Sequence, residues 1–170
     1  MPKCQYSTEY YDYESGTYDA AFNCPEEEPL ASGFCIFHDK DYLQDKTNYE
    51  EHKRKILDRL KQKVNHAIAY NEPLLCICFQ LPEFSLSDLS IDKKFTRSLY
   101  FNGSQFFGEA FFARAQLHGQ ANFSEAKFQE VSFYGAHFLR LADFGTANFH
   151  GSTSFLESHF HGLAWFNEAH

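Results

Sequence analysis

The chain has 170 residues and a formal net charge of −8, and its 20 Phe and 10 Tyr set it apart from an average globular composition. It opens on Met-Pro-Lys-Cys-Gln-Tyr, which has the pattern of neither a signal nor a transit peptide, and no run approaches the ~18 apolar residues of a membrane helix; a soluble, cytoplasmic chain without a membrane partner is expected. Residues 1–47 hold ten acidic and three basic side chains, 48–72 four and six, 73–83 one and none, and 84–170 eight and six, so there is no basic stripe for nucleic acid.

In residues 1–47 the side chains that can carry chemistry are Cys4, Cys24, Cys35 and His38, a C-x19-C-x10-C-x2-H pattern. Cys35 and His38 fit one tight turn, and a Tyr-rich hairpin bending at Glu14-Ser15-Gly16 could bring the other two to them. Three thiolates and one imidazole complete a tetrahedral Zn²⁺ site, so one structural zinc per chain is expected. Two other readings stay open. Cys4 and Cys24 could form a disulfide, which needs an oxidising compartment that no export signal supports, or the four residues could be unrelated.

Residues 48–72 read as a helix from about 48 to 71. Thr47 with Glu50 makes a capping box, Ile56, Leu57, Leu60, Val64 and Ile68 make one apolar stripe, and Asn71 before Pro73 marks the stop. The role expected of this helix is to cap the open N-terminal end of a repeat stack in residues 73–170, with binding to a partner as the alternative. Just beyond it, Ile77 and Phe79 are expected to face inward and Cys76 and Cys78 outward, as packing residues or as substitutes should Cys4 not be a ligand.

From residue 101 a large apolar residue, Phe in all but one case, returns every five or six residues with a mostly small residue two positions before it. The anchors are Phe101, Phe106, Phe112, Leu117, Phe123, Phe128, Phe133, Phe138, Phe144, Phe149, Phe155, Phe160 and Phe166. Neither the helical period of about 3.6 nor strand alternation produces this spacing, so each unit pairs a short extended segment with a corner. Four units return to the same side and predict four interior ladders: Phe101/Phe123/Phe144/Phe166, Phe106/Phe128/Phe149, Phe112/Phe133/Phe155 and Leu117/Phe138/Phe160. Gly108, Gly119, Gly151 and Gly162 lie two residues after an anchor in the six-residue steps, where a corner with φ > 0 is expected; Arg140 takes this place in the fifth such step. One further coil is expected upstream, with Phe79 and Phe84 below Phe101 and Phe106, the stretch around Lys93 looping out and Phe95 rejoining the stack.

This spacing resembles the pentapeptide-repeat family over roughly residues 75 to 170. The resemblance implies a right-handed, four-sided parallel β-helix, and the expected fold is mainly β: a Cys/His zinc segment (1–47), a capping helix (48–72) and a pentapeptide-repeat solenoid (73–170). The Cys/His stretch also resembles N-terminal segments attached to some proteins of this family.

The expected function is a non-enzymatic scaffold or interaction module for a protein partner whose identity the sequence does not give. Some members of the family imitate DNA and bind topoisomerases, but residues 84–170 lack the acidic field that this would need. A zinc-dependent enzyme is the third reading, opposed by four protein ligands that leave no open position. His137 and His159 are expected side by side in adjacent coils, with His118 and His161 nearby, as solvated positions or as a weak metal-binding or pH-sensitive surface. The last anchor, Phe166, has only four residues after it. That predicts a homodimer through the C-terminal coil, a longer repeat protein of which this is a piece, or a frayed last coil.

Overall fold

The computed structural model describes residues 2–13, 15–86 and 94–170. An antiparallel hairpin comes first, β1 (Ser7–Asp12) and β2 (Thr17–Asn23), closed by a turn in which Gly16 has φ +69° and donates its N–H to Asp12 O. Glu14 of the expected bend lies outside the described residues. Next in the chain are a long helix, α1 (Tyr49–Tyr70), and a parallel solenoid of short strands.

The solenoid keeps the predicted register from residue 99 onward. On one side Leu99, Ala121, Ala142 and Ala164 pair in succession; on the next, Phe106 pairs with Phe128 and Phe128 with Phe149. Ala110, Val131 and Thr153 line up on a third side, and Leu117, Phe138 and Phe160 on the fourth. The small residue two before each anchor lets neighbouring rings meet without a void. Phe123 stacks between Phe101 and Phe144, with ring centres 5.7 and 5.3 Å away and planes within 7°, and meets Phe112 and Phe133 edge-on. Edge and face contacts of this kind suit the aromatic quadrupole. Backbone bonds tie the coils together, Phe101 N–H to Asn122 O and Phe123 N–H to Asp143 O, both 2.7 Å.

Two kinds of corner alternate, and neither is the one expected. Positive φ occurs two residues after an anchor in five-residue steps, at Gly103, Arg114, Glu125, Gly135, Thr146 and Glu157. Gly108, Gly119, Gly151 and Gly162 have no positive φ. They are required for close approach instead: a Cβ on Gly119 would lie 2.2 Å from the Arg97 carbonyl carbon, and one on Gly151 2.2 Å from Gln129 O. Where the chain passes from Phe128 to Phe133 in five residues rather than six, the ladder with the coil below shifts register between Phe128 and Glu130.

The first coil is also offset from the expected one. Leu74 pairs with Leu99 and Leu81 with Phe106, while Phe84 pairs with Ala110, so the inward residues below Phe101, Phe106 and Phe112 are Cys76, Leu81 and Leu86 rather than Phe79 and Phe84. Phe79 and Phe84 sit at the positions that hold a small residue higher up. The Phe79 ring turns away from the coils and stacks on Phe37 at 4.2 Å, a direction open only at the bottom of a stack. Phe95 does rejoin, pairing with Leu117, whereas Lys93 and the expected loop lie outside the described residues.

The helix buries Ile56, Leu60, Val64 and Ala67, while Ile68 is exposed, so its inner stripe ends one residue earlier than the sequence pattern implies. The Thr47/Glu50 capping box is absent. Asn48 is the N-cap, and the Asp45 carboxylate receives the Thr47 and Asn48 N–H groups. At the other end Asn71 is left-handed, with its N–H on Ile68 O and the Glu72 N–H on Ala67 O, the two bonds of a Schellman motif. Contacts from the helix region reach several parts of the first coil: Tyr49 and Lys53 bond Glu83, and Asn71 accepts from Thr96 and Arg97.

A candidate metal centre where the hairpin meets the first coil

Cys4 precedes β1, Cys24 comes just after β2, and antiparallel pairing brings them to the same end of the hairpin. The ladder continues past the strands, with Cys4 N–H on Glu26 O and Cys24 N–H on Tyr6 O. Cys35 and His38 come from one turn in which the Cys35 carbonyl accepts from both His38 and Asp39 N–H at 3.0 Å. All four side chains are buried, and their ligand atoms lie within 4.8 Å of one another.

The separations fit one tetrahedral ion. With Zn–S near 2.3 Å and Zn–N near 2.0–2.1 Å, tetrahedral geometry puts two sulfurs about 3.8 Å apart and sulfur about 3.6 Å from nitrogen. Cys24 Sγ and Cys35 Sγ are 3.7 Å apart, and His38 Nδ1 lies 3.3 Å from Cys35 Sγ and 3.8 Å from Cys4 Sγ. A disulfide needs about 2.05 Å, and all five cysteines are free.

The surroundings prepare the donors. His38 Nε2 is 3.0 Å from the Ile77 carbonyl, which can only accept, so Nε2 carries the proton and Nδ1 keeps its lone pair toward the sulfurs. Tyr6 stacks flat on the imidazole at 3.9 Å, and Phe79 meets it edge-on. The Cys35 N–H points at Cys4 Sγ, 3.2 Å away, as a donor for a thiolate. Without an ion, the hydrogen bond to Cys24 and burial push the Cys35 thiol up to about 12. A cation among the four groups would offset this cost of ionising the thiol, and the donor set suits a borderline-soft one.

The sequence pattern named these four residues, and the fold brings all four together. It missed the Ile77 carbonyl and the Tyr6 lid, which no ligand-spacing rule contains. Cys76 and Cys78 stand apart from the cluster. Cys76 points into the solenoid column, fully buried, and burial pushes its thiol up to about 12; Cys78 is half-buried in a left-handed turn. The expectation of both cysteines facing outward is thus corrected for Cys76, because the register offset moves it onto the inward position.

Two further contacts clasp the segment to the rest. Buried Glu26 binds Arg59 and Lys63 of the helix at 2.7 and 2.9 Å. Burial alone would raise its pKa, but hydrogen bonds and charge from Lys63 and Arg59 outweigh that and hold the carboxyl below its ordinary value. On the solenoid flank, Tyr100 donates to Asp12 at 2.8 Å, and Tyr13 donates its hydroxyl to Asp143 and its N–H to Tyr100. No helix among the described residues is long and apolar enough to cross a membrane.

Comparison with known proteins agrees with the geometry. A family model described as "Pentapeptide repeats (9 copies)" matches residues 101–147 and 133–170. Residues 101–170 are thus a pentapeptide-repeat β-solenoid. No curated protein and no solved structure matches the chain.

Proposed function

We propose that this chain is a non-enzymatic scaffold or protein-interaction module in which a structural Zn²⁺, held by Cys4, Cys24, Cys35 and His38, locks residues 1–47 onto the base of the solenoid. In this reading residues 48–72 cap the stack and 73–170 form the rigid body that a protein partner recognises. The observation that carries it is the closed donor set: four buried ligand atoms within 4.8 Å of one another, with a backbone carbonyl fixing the His38 tautomer. Four protein ligands leave no coordination position for a substrate or an activated water, which weighs against a zinc enzyme. Among the described residues the solenoid interior is filled by rings and offers no cleft. DNA mimicry has little to support it, because residues 94–170 carry six acidic and five basic side chains.

Metal analysis of protein purified without added zinc tests the site. About one equivalent per chain is expected, falling well below that in Cys35→Ser. Substoichiometric metal that Cys35→Ser leaves unchanged would sink the proposal.

A further inference from the structure

Outside the cysteine cluster, three imidazoles gather on the outer face of the ladder built on Leu117, Phe138 and Phe160. Strand pairing sets His137 beside His159 in the next coil. Strand alternation about the inward Phe160 sends His159 and His161 to the same outer side. Ring centres are 4.6 Å apart for His137 and His159, 5.6 Å for His137 and His161, and 6.2 Å for His159 and His161. His137 Nδ1 and His161 Nε2 are 3.3 Å apart.

The His137 Nδ1–His161 Nε2 separation is that of two ligands on one ion, and the exposed His159 ring, its centre 4.6 Å from that of His137, would complete the set by turning about its side-chain bonds. Two nitrogens at 2.0–2.1 Å from a tetrahedral metal lie about 3.3 Å apart, and three rings so bound have centres about 5 Å apart. We propose that His137, His159 and His161 form a second, surface site for a borderline divalent transition-metal ion such as Zn²⁺, with its remaining position open to water or to a donor from outside the chain.

The scaffold favours such a site. The Phe138 and Phe160 rings beneath it stack at 4.7 Å with planes 4° apart, which fixes the two strands that carry the histidines. Because His159 and His161 are exposed, an ion can enter and leave without unfolding. The open position separates this site from the closed cysteine cluster: it is a place where the solenoid can be bridged through metal to a ligand or partner that supplies a fourth donor.

The test uses untagged protein with excess Zn²⁺, read at the imidazole NMR signals. Zn²⁺ is expected to shift His137, His159 and His161 together while sparing exposed His150, which lies outside the triangle. The double variant His159→Asn, His161→Asn should weaken this response about tenfold or more, with the signal of His38 unchanged. Because the readout is at the imidazoles, it does not depend on what the cysteine cluster binds. No shift at the three histidines in excess Zn²⁺, an equal response at His150, or an undiminished response at His137 in the double variant would overturn the proposal.

Discussion

Glu26 shows how a single side chain joins two parts of this chain. Its carboxylate is buried between Arg59 and Lys63, so removing the charge leaves two cations without their shared counter-ion. Arg59 is about half exposed and keeps water contact, which reduces the loss. Glu26→Gln is expected to destabilise the chain by about 1–3 kcal/mol in urea unfolding at neutral pH. The folded carboxyl sits below its unfolded value, so its contribution is complete above about pH 4.5 and is lost as pH falls through the folded value. The gap between wild type and variant should therefore close on acidification below about pH 4, and a constant gap would contradict the assignment. The sequence displayed Glu26 only as one of three consecutive glutamates. Its partners are 33 and 37 residues away on the helix, beyond any local pattern. Cys35 and His38, by contrast, were legible because the turn that joins them is local.

At the scale of elements, the coils from Phe101 onward were readable because each anchor repeats the same local problem, a ring that must lie over the ring below. Phe123 is fully buried between two stacked partners, and Phe123→Ala should cost about 3–5 kcal/mol. The corner glycines were recognised as special, but for the wrong reason. The sequence shows that a side chain is absent, not whether φ or space forbids it. Gly119→Ala distinguishes the two: its Cβ would meet the Arg97 and Ser98 backbone at 2.2–2.4 Å, so a loss of about 1–3 kcal/mol is expected even though its φ is not positive. A neutral result in thermal unfolding would remove the close-packing account. The first coil was misread because Phe79 and Phe84 happen to lie at the spacing of the later anchors. With no coil beneath, large residues are tolerated at the positions that must be small elsewhere, and the periodic signal becomes ambiguous at that end.

At the scale of the molecule, the outermost coil presents an apolar surface. Leu163, Trp165 and Phe166 are 67, 44 and 42 % exposed, whereas Asp143 and Phe144, one coil inward of the last two, are buried. Either a second copy packed two-fold on this surface or a continuation of the repeat would bury it. Under the first, light scattering finds a dimer that the double variant Trp165→Asp, Phe166→Asp turns into a monomer; under the second, the 170-residue chain is a monomer. On the proposed reading metal fastens the N-terminal segment to a solenoid that stands without it, and residue-resolved hydrogen exchange with and without a zinc chelator separates the two parts. Protection is expected to collapse around Cys4, Cys24 and residues 35–38 on chelation, because binding energy at such a site is folding energy, while the amides of Phe101, Phe123 and Phe144 stay protected. Unchanged protection in residues 2–47 after the metal is removed, or equal loss throughout the solenoid, would contradict the account.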